Sequence, residues 1–485
     1  MSDELKVLFV AAEAVPFVKV GGLAEFAGAL PKALRRLGVD VRVMVPRYSD
    51  GDHTKTPKLK RVGGSIPVPV GSREEPAHLL STQVGDVPVY LIFNDQHFGN
   101  RERVYGFNDD PQRFTFFSRA VLAALPALDW VPDVIHVNDW HAAPIAAWLD
   151  VYGRQDPGYR DMASLFTIHN FAYQGVCGRL LLSFGQMPNL PHLDVEPVGK
   201  VNWMAQGIAH ADLVSTVSPT YAQEMLAGSL GGDLQPLLQR RQDRFFGILS
   251  GIDTEAWNPS SDEALTQKYD AESLNMRSVN KTALQRELRL PVDMDVPLLG
   301  SVTRLDPLKG IDILAEALPK MMDARELQVV VLGTGMPELA EKLQSLQARY
   351  PRNVRALIRF DERLARRIYG SADMFVLPSE YEAVSVALMT AMHYGAVPIV
   401  HAVGGLLDTV LDADGNPERG TGFAFDGYSV PAFLEAADRA LAAYDDEARW
   451  VSLQRRAMMR DSSWATSAKA YLDLYQRARR LHESQ

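Results

Sequence analysis

Short runs of consecutive apolar residues recur along the chain, and each is followed by a longer stretch with apolar residues at helical spacing. Such runs are typical of strands that are buried on both faces of a parallel sheet. Their alternation with helical stretches indicates βαβ units. The predicted strands are Val7–Val10, Val41–Val45, Val134–Val137, Leu165–Ile168, Val214–Val217, Leu298–Val302, Val329–Leu332, Met374–Leu377 and Val397–Val400.

The first of these units shows the order of its elements clearly. A loop with two glycines follows the strand Val7–Val10, and an amphipathic helix begins near Leu23. Pro31 lies within this helical stretch, and we expect it to kink or interrupt the helix because proline lacks an amide hydrogen. The same order recurs in the second half, where the strand Leu298–Val302 is followed by a loop and the helical stretch Ile311–Met321.

A chain of 485 residues exceeds one ordinary core, so we expect two domains. The pattern predicts the α/β class, with two doubly wound Rossmann-like domains facing a cleft that holds the reaction. We place the first domain at residues 1–245 and the second at 246–460. The final stretch, 461–485, is helical in pattern, and the pattern alone leaves open whether it caps the second domain or crosses back to the first.

Composition and charge exclude several classes of protein. Hydrophobic residues make up 47% of the chain and charged residues 23%, which is the mixture of a globular protein. The net charge of −10 disfavours nonspecific binding to nucleic acid. A single cysteine, Cys177, cannot form an internal disulfide. No stretch resembles a signal peptide or a membrane span, so we expect a cytoplasmic protein with no membrane partner.

Glycines and charged residues follow several of the predicted strands. Lys19, Gly21 and Gly22 open the first helix, where backbone amides and a cation suit a phosphate, although a turn with a solvated lysine has the same sequence. Arg304 and Lys309 follow a strand of the second half, and two cations at this spacing could clamp a diphosphate.

Two further loops carry polar side chains after strands of the first half. One runs from His136 to His141 and includes Asp139, and the other contains His169 and Asn170. These side chains could be metal ligands, an acid–base set or hydrogen-bonding partners of a sugar. Their spacing matches no compact zinc pattern, so we expect no metal site.

In the second half, Glu382 follows the strand Met374–Leu377 and could accept hydrogen bonds from sugar hydroxyls or favour a helix N-terminus. A second glycine turn, Gly404 to Leu406, follows the strand Val397–Val400 and opens a helix. Together the loops supply cations, glycine turns and carboxylates, which is the chemistry needed to hold a diphosphate and a sugar.

Eight segments, in order along nearly the whole chain, resemble the bacterial glycogen synthase and plant starch synthase family. The segments are KVGGLAE (Lys19–Glu25), NDWHAAP (Asn138–Pro144), TIHNFAYQG (Thr167–Gly175), TVSPTYAQEM (Thr216–Met225), GILSGIDTEAWNP (Gly247–Pro259), TRLDPLKGID (Thr303–Asp312), LGTG (Leu332–Gly335) and GGLLDTV (Gly404–Val410).

The resemblance implies a GT-B fold in which a C-terminal helix crosses back to the first domain. It implies glucose transfer from ADP-glucose to the non-reducing end of an α-1,4-glucan such as glycogen, with retention of configuration and without a cofactor or metal. The catalytic residues it implies are Arg304, Lys309, His169, Asp139 and Glu382. The donor-binding residues it implies are Lys19, Gly21, Gly22, Gly335, Gly404, Gly405 and Leu406. The sugar- and acceptor-binding residues it implies are Asn170, Tyr173, Gln174, His141 and Asn202.

The chain departs from the family pattern at a few positions on the donor side. The family usually has E-P-C-G-L where this chain has Glu382 followed by Ala-Val-Ser-Val, and it has threonine at the position of Val403. Three alternatives therefore stay open. The enzyme could use UDP-glucose or a small acceptor, it could be a phosphorylase with a pyridoxal phosphate lysine, or it could bind glucan without catalysis.

Overall fold

The computed structural model describes residues 4–48, 58–99, 101–228, 230 and 232–484. The chain divides into two compact units, which we call unit 1 and unit 2. Unit 1 consists of Met1–Ser250 and Trp464–Gln485, and unit 2 consists of Gly251–Ser463. Each unit contains a largely parallel sheet with helical connections, which confirms the predicted α/β class.

Unit 1 is built on a nine-stranded sheet with the order β11-β10-β7-β6-β1-β2-β5-β4-β3. All neighbouring strands are parallel except for the antiparallel pairs β3–β4 and β4–β5 at one edge. Two further strands, β8 and β9, form a separate antiparallel pair. The strands are β1 (Lys6–Val10), β2 (Asp40–Pro46), β3 (Lys60–Val70), β4 (Arg73–Val84), β5 (Val87–Phe93), β6 (Val134–Asn138), β7 (Ala163–Ile168), β8 (Val176–Gly178), β9 (Lys200–Asn202), β10 (Leu213–Thr216) and β11 (Phe245–Gly247).

The helices of unit 1 include the last helix of the chain, α17 (Trp464–Glu483). This helix packs on the unit 1 sheet, where the Tyr475 hydroxyl lies 2.8 Å from Nδ1 of His136 in β6. The remaining helices of the unit are α1 (Gly22–Arg36), α2 (Asp95–Phe98), α3 (Asp110–Ala124), α4 (Asp139–Val151), α5 (Leu180–Phe184), α6 (Trp203–His210), α7 (Pro219–Ala227) and α8 (Gln235–Arg240).

Unit 2 is built on a six-stranded parallel sheet with the order β14-β13-β12-β15-β16-β17. Its strands are β12 (Leu298–Val302), β13 (Gln328–Gly333), β14 (Val354–Ile358), β15 (Met374–Leu377), β16 (Val397–His401) and β17 (Phe423–Phe425). Its helices are α9 (Arg277–Glu287), α10 (Ile311–Ala324), α11 (Pro337–Arg349), α12 (Glu362–Ser371), α13 (Val386–His393), α14 (Gly404–Thr409), α15 (Val430–Tyr444) and α16 (Glu447–Met459).

The apolar runs are strands because both faces of each sheet are covered. In unit 2, Leu299 and Val331 belong to the hydrophobic cluster on one face, whereas Leu298 and Val330 belong to the cluster on the other. Successive side chains of a strand point to opposite faces, so a strand between two helical layers needs apolar residues at every position. All nine predicted strands are confirmed to within three residues at each end.

The sequence reasoning did not predict the strands β3, β4, β5, β8, β9, β11, β14 and β17, and the interruption that it allowed at Pro31 does not occur. Many residues of β3 and β4 are exposed, so the segment lacks the continuous apolar run that identified the nine predicted strands. The helix α1 continues through Pro31 without interruption. An internal proline costs ~3 kcal/mol. Burial of an apolar side chain contributes ~1.5–3 kcal/mol, and Leu30 and Leu34 on either side of Pro31 are both fully buried.

Candidate functional site

Among the parallel strands of each sheet, the strand order reverses at one point. In unit 2 this point lies between β12 and β15, and in unit 1 it lies between β1 and β6. Ligands of open α/β sheets bind beyond the carboxyl ends of the strands at such a point. Lys309 and Glu382 follow the two strands of the reversal in unit 2, and Lys19 and Asp139 follow those in unit 1. The topology therefore places the predicted side chains where ligands of this architecture bind.

In unit 2, Lys309 and Glu382 form a nearly buried ion pair. The Nζ atom of Lys309 lies 2.8 Å from both carboxylate oxygens of Glu382, whose side chain is 9% exposed. The Ser379 hydroxyl donates a hydrogen bond of 3.1 Å to Oε2 of the same carboxylate. Gly310 makes this approach possible, because a Cβ at this residue would lie 2.0 Å from the carbonyl oxygen of Pro378.

Arg304 presents its charge differently from Lys309. Its side chain is 62% exposed, and its guanidinium lies 4.0 Å from the Asp306 carboxylate. Asp306 itself accepts a hydrogen bond from the Leu308 amide and so shapes the turn that carries Lys309. The loop after β12 thus carries one accessible cation and one cation paired with a carboxylate, and a diphosphate clamp formed by the two stays a prediction.

Gly335 fixes the backbone of the Arg304 loop. The Leu305 amide donates to Thr334, and the Met336 amide donates back to Leu305 at 2.8 Å. A Cβ built on Gly335 would lie 2.1 Å from the Leu305 carbonyl oxygen, so only glycine fits between the two loops. The structure thus places Gly335 beside the loop that carries the cation, where it holds the backbone.

The second glycine turn packs against the segment that carries Glu382. The Gly405 amide donates to the Glu382 carbonyl at 3.0 Å, and the Leu406 amide donates to the Val403 carbonyl at 3.0 Å. Gly404 has a φ of 45°, in the left-handed region that favours glycine. Because the amides of Gly405 and Leu406 already have acceptors, donor binding through them requires an exchange of partners and stays a prediction.

In unit 1, Asp139 joins the loops that follow β6 and β7. Its Oδ1 accepts the amide hydrogens of His169 at 2.8 Å and of Asn170 at 3.5 Å. Burial raises the pKa of the Asp139 carboxyl to about 7, and these amide bonds only partly oppose the shift. Asp139 also has a φ of 55°, which is uncommon for a residue with a side chain. The surrounding structure thus holds a strained, nearly buried carboxyl at this point.

The imidazole of His169 is neutral and has a defined tautomer. Its Nε2 lies 2.9 Å from Oδ1 of Asn138, whose Nδ2 donates to the Val10 carbonyl. Nε2 therefore carries the hydrogen and Nδ1 is an acceptor. Burial lowers the pKa of His169 to about 3. The ring of Phe26 packs edge-on against it at 4.5 Å between centroids.

The residues predicted to bind the acceptor are in different environments. Nδ2 of Asn202 donates to Oε1 of Gln174 at 2.7 Å, which ties the β9–α6 junction to the loop after β7. Asn170 accepts from the Ala172 amide, and Tyr173 is 63% exposed. His141 is instead buried, with its pKa lowered to about 3 by burial. The rings around His141 belong to Trp140, Tyr105 and Phe114.

Sequence reasoning missed Glu13 and Phe360. Glu13 interrupts the apolar run directly after β1, and its carboxylate lies under the first glycine turn. Phe360 follows β14 and is 78% exposed, and Met336 after the adjacent β13 is 46% exposed. Glu13 could have been noticed in the sequence because it is a charged residue at the end of an apolar run. Phe360 could not, because the strand before it, β14, is not among the predicted strands.

Among residues 4–48, 58–99, 101–228 and 232–484, no group of three or more histidine, cysteine, aspartate or glutamate side chains is placed to hold a metal ion. Within the same part of the chain, no helix has the length and apolar character to cross a membrane.

Two family models match most of the chain. The model described as the starch synthase catalytic domain matches residues 6–240. The model described as glycosyl transferases group 1 matches residues 287–456. The first match lies within unit 1 and the second within unit 2.

Curated relatives match over the full length. "Glycogen synthase 2" of Geobacter sulfurreducens is 41% identical over 98% of this chain and 99% of the relative. "Glycogen synthase" of Anoxybacillus flavithermus is 40% identical over 97% of both chains.

Solved structures agree with these matches. The catalytic domain of starch synthase IV from Arabidopsis thaliana, bound to ADP and acarbose, matches with a TM-score of 0.92 and 33% identity, covering 98% of this chain and all of the other. Sucrose-phosphate synthase from Thermosynechococcus elongatus matches with a TM-score of 0.62 and 18% identity, covering 98% of this chain and 99% of the other, and shares the fold alone.

Proposed function

This chain belongs to the glycogen synthase and starch synthase family and is a glycosyltransferase, and we propose that it transfers glucose from ADP-glucose to the non-reducing end of an α-1,4-glucan. The observation that carries the proposal is the arrangement after β12 and β15, where Lys309 pairs with Glu382 and the loop that carries Lys309 also carries the exposed Arg304. The Arabidopsis starch synthase IV domain, which is bound to ADP and acarbose, supports a nucleoside diphosphate and a glucan-like ligand.

We assign stabilisation of the diphosphate leaving group to side chains of unit 2. When the bond between the glucose C1 and the diphosphate breaks, negative charge develops on the departing phosphate oxygens. Arg304 and Lys309 stabilise this charge, since preorganised cations act most strongly where charge appears in the transition state. Glu382 releases the Lys309 ammonium to the diphosphate and accepts hydrogen bonds from the glucose hydroxyls. We propose that these side chains suffice without a metal or a cofactor.

The roles that we assign in unit 1 concern the sugar. We assign binding of the sugar to His169, which has a neutral ring and its Nδ1 as acceptor, and to Asp139, which holds the His169 backbone. We propose that the acceptor 4-hydroxyl attacks C1 on the face from which the diphosphate departs. Because the new bond forms on that face, the configuration at C1 is retained, and the proton of the acceptor hydroxyl passes to the departing phosphate oxygen. Gln174 and Asn202, joined by a hydrogen bond, and the exposed Tyr173 form the surface for the glucan end.

Phe360 and Met336 provide a surface for the nucleobase. They follow β14 and β13, which lie beside β12 and its Arg304 loop, and both are exposed. An aromatic face that stacks on a base contributes ~1–3 kcal/mol. The exposed aromatic ring therefore lies at the same sheet edge as the cations. Stacking is tolerant of the base, so this surface does not choose between ADP and UDP.

The test is incubation of the protein with glycogen and either ADP-glucose or UDP-glucose, with the released nucleoside diphosphate measured. We expect release of ADP, dependent on glycogen, to exceed release of UDP. Faster release of UDP would replace the donor in the proposal. Absence of release from both donors, together with retained binding of glycogen, would identify a glucan-binding protein instead.

A further inference from the structure

We call the segment Lys19–Gly22 the glycine loop. The carboxylate of Glu13 accepts hydrogen bonds from two of its backbone amides. Oε2 of Glu13 accepts the amide hydrogen of Val20 at 2.5 Å and that of Gly21 at 3.0 Å. Glu13 is only 4% exposed. Two of the amides that the sequence offered to a phosphate are therefore already engaged by a carboxylate of the same chain.

The Glu13 carboxylate is itself held in place. The Tyr105 hydroxyl donates to its other oxygen, Oε1, at 3.2 Å. The residue lies three positions after the end of β1, so the central strand of the sheet sets the position of its backbone. Burial raises the pKa of Glu13, while the bonds from the Val20 and Gly21 amides act in the opposite direction. Every strong contact of the carboxylate is thus directed at the glycine loop or at Tyr105.

The remainder of the segment is braced against α1. The Val15 amide donates to the Ala24 carbonyl at 3.1 Å. Gly28 is packed closely, since a Cβ there would lie 2.2 Å from the Val15 side chain. Lys19, which forms an ion pair with Glu25, projects from the glycine loop between these two anchoring points. The position of its ammonium thus depends on the Glu13 bonds on one side and on α1 on the other.

We propose that Glu13 is a positioning residue, whose carboxylate holds the Val20 and Gly21 amides and so places Lys19 for the donor diphosphate. This inference rests on the proposed function, in which Lys19 contacts that diphosphate. In this proposal the Val20 and Gly21 amides hold the shape of the loop and do not bind the phosphate. The phosphate is contacted by the Lys19 side chain and by backbone beyond Gly21.

The variants follow from hydrogen-bond chemistry. Glutamine at position 13 keeps an oxygen for the two amides and turns its NH₂ toward the Tyr105 hydroxyl, which can accept. Leucine is similar in size but has no acceptor, so Glu13→Leu leaves two amides unsatisfied. We expect Glu13→Leu to weaken ADP binding by about tenfold or more, since a bond to a charged group is lost, and Glu13→Gln to bind ADP within about threefold of the unmodified protein because its acceptor remains.

Glu75→Leu is the matched control. Glu75 is also a nearly buried carboxylate of unit 1, and it pairs with His97 on the antiparallel edge of the sheet. Its replacement removes a buried acid and lowers stability without touching the glycine loop. We expect Glu75→Leu to leave the ADP dissociation constant unchanged, and Glu13→Leu to raise the KM for the sugar nucleotide much more than the KM for glycogen.

Two measurements decide the matter, namely calorimetric titration with ADP and hydrogen exchange at the Val20 and Gly21 amides. Protected amides in the unmodified protein and in Glu13→Gln, with fast exchange and weak ADP binding in Glu13→Leu, support the proposal. Equal ADP binding in Glu13→Leu, or equal weakening by Glu75→Leu, overturns it. An unmodified protein that protects both amides but binds no ADP refutes the proposed function while leaving the contact between Glu13 and the loop intact.

Discussion

The ammonium of Lys309 lies 2.8 Å from both carboxylate oxygens of Glu382, a residue 73 positions later in the chain. The pair spans the two strands at which the order of the unit 2 sheet reverses. A nearly buried pair of this kind is electrically balanced, and in the proposed reaction the donor diphosphate competes with Glu382 for the cation. Lys309 and Glu382 therefore depend on each other, and loss of either leaves the charge of the other without its partner.

Replacement of Lys309 by alanine tests the diphosphate clamp. We expect turnover to fall by at least ~100-fold, comparable with removal of one oxyanion donor, because the charge on the leaving group is no longer balanced. The KM for glycogen should change little. Lys320→Ala, an exposed lysine of α10, is the control and should retain full turnover. Unchanged turnover in Lys309→Ala would remove the clamp from the mechanism.

Replacement of Gly335 by alanine tests whether the Arg304 loop must be held in place. The new Cβ would lie 2.1 Å from the Leu305 carbonyl oxygen, so the loop must shift. We expect kcat/KM for the sugar nucleotide to fall by about tenfold, since misplaced catalytic groups lose rate steeply. Gly415→Ala is the control, because the nearest atom to its Cβ is 3.9 Å away. Equal kinetics in the two variants would show that Gly335 has no part in donor binding.

Replacement of Asp139 by asparagine tests the buried carboxyl. The folded pKa of about 7 lies above the unfolded value of ~3.9. The stability linked to this group is therefore fully present below the unfolded pKa and is lost as the pH rises through about 7. Asparagine cannot ionise, so Asp139→Asn should gain stability relative to the unmodified protein between pH 4 and pH 8. Thermal unfolding of both proteins across this range measures the gain, and a constant difference would refute the pKa shift.

His482 holds the last turn of α17 in place. Because the pKa of His482 is raised, we expect the stability of this turn to depend on pH. Its Nε2 donates to the Arg160 carbonyl at 2.7 Å, and its Nδ1 lies 3.2 Å from Asp212, near Arg154. Hydrogen bonding to Asp212 raises the pKa of His482, so the stabilisation is complete below the unfolded pKa of ~6.5 and is lost as the pH rises through the folded value.

The matched substitution is His482→Gln, which cannot carry the charge. We expect faster hydrogen exchange in the last turn of α17 in this variant at pH 5.5, and a smaller difference from the unmodified protein at pH 8.5. Equal protection in the two proteins at pH 5.5 would show that the charged contact does not anchor the helix.

Much of this protein follows from the sequence because both sheets are covered on two faces. A strand such as β12 is then mostly apolar, and the loop after it carries charged residues. That rule predicts from the sequence alone that the Arg304–Lys309 loop, Asp139 and His169 follow the ends of strands. It does not apply to β3 and β4, whose exposed residues obey a weaker pattern.

Only the tertiary structure decided which groups meet. The pairing of Lys309 with Glu382 depends on β12 and β15 being neighbours in the sheet, although two other strands separate them along the chain. The sequence alone predicts that the backbone amides of both glycine turns are available to a phosphate. Glu13 occupies two amides of the first, and the Glu382 carbonyl occupies the Gly405 amide of the second. A hydrogen-bond partner is set by how the loop folds and by which strands are neighbours, and the local residue pattern fixes neither.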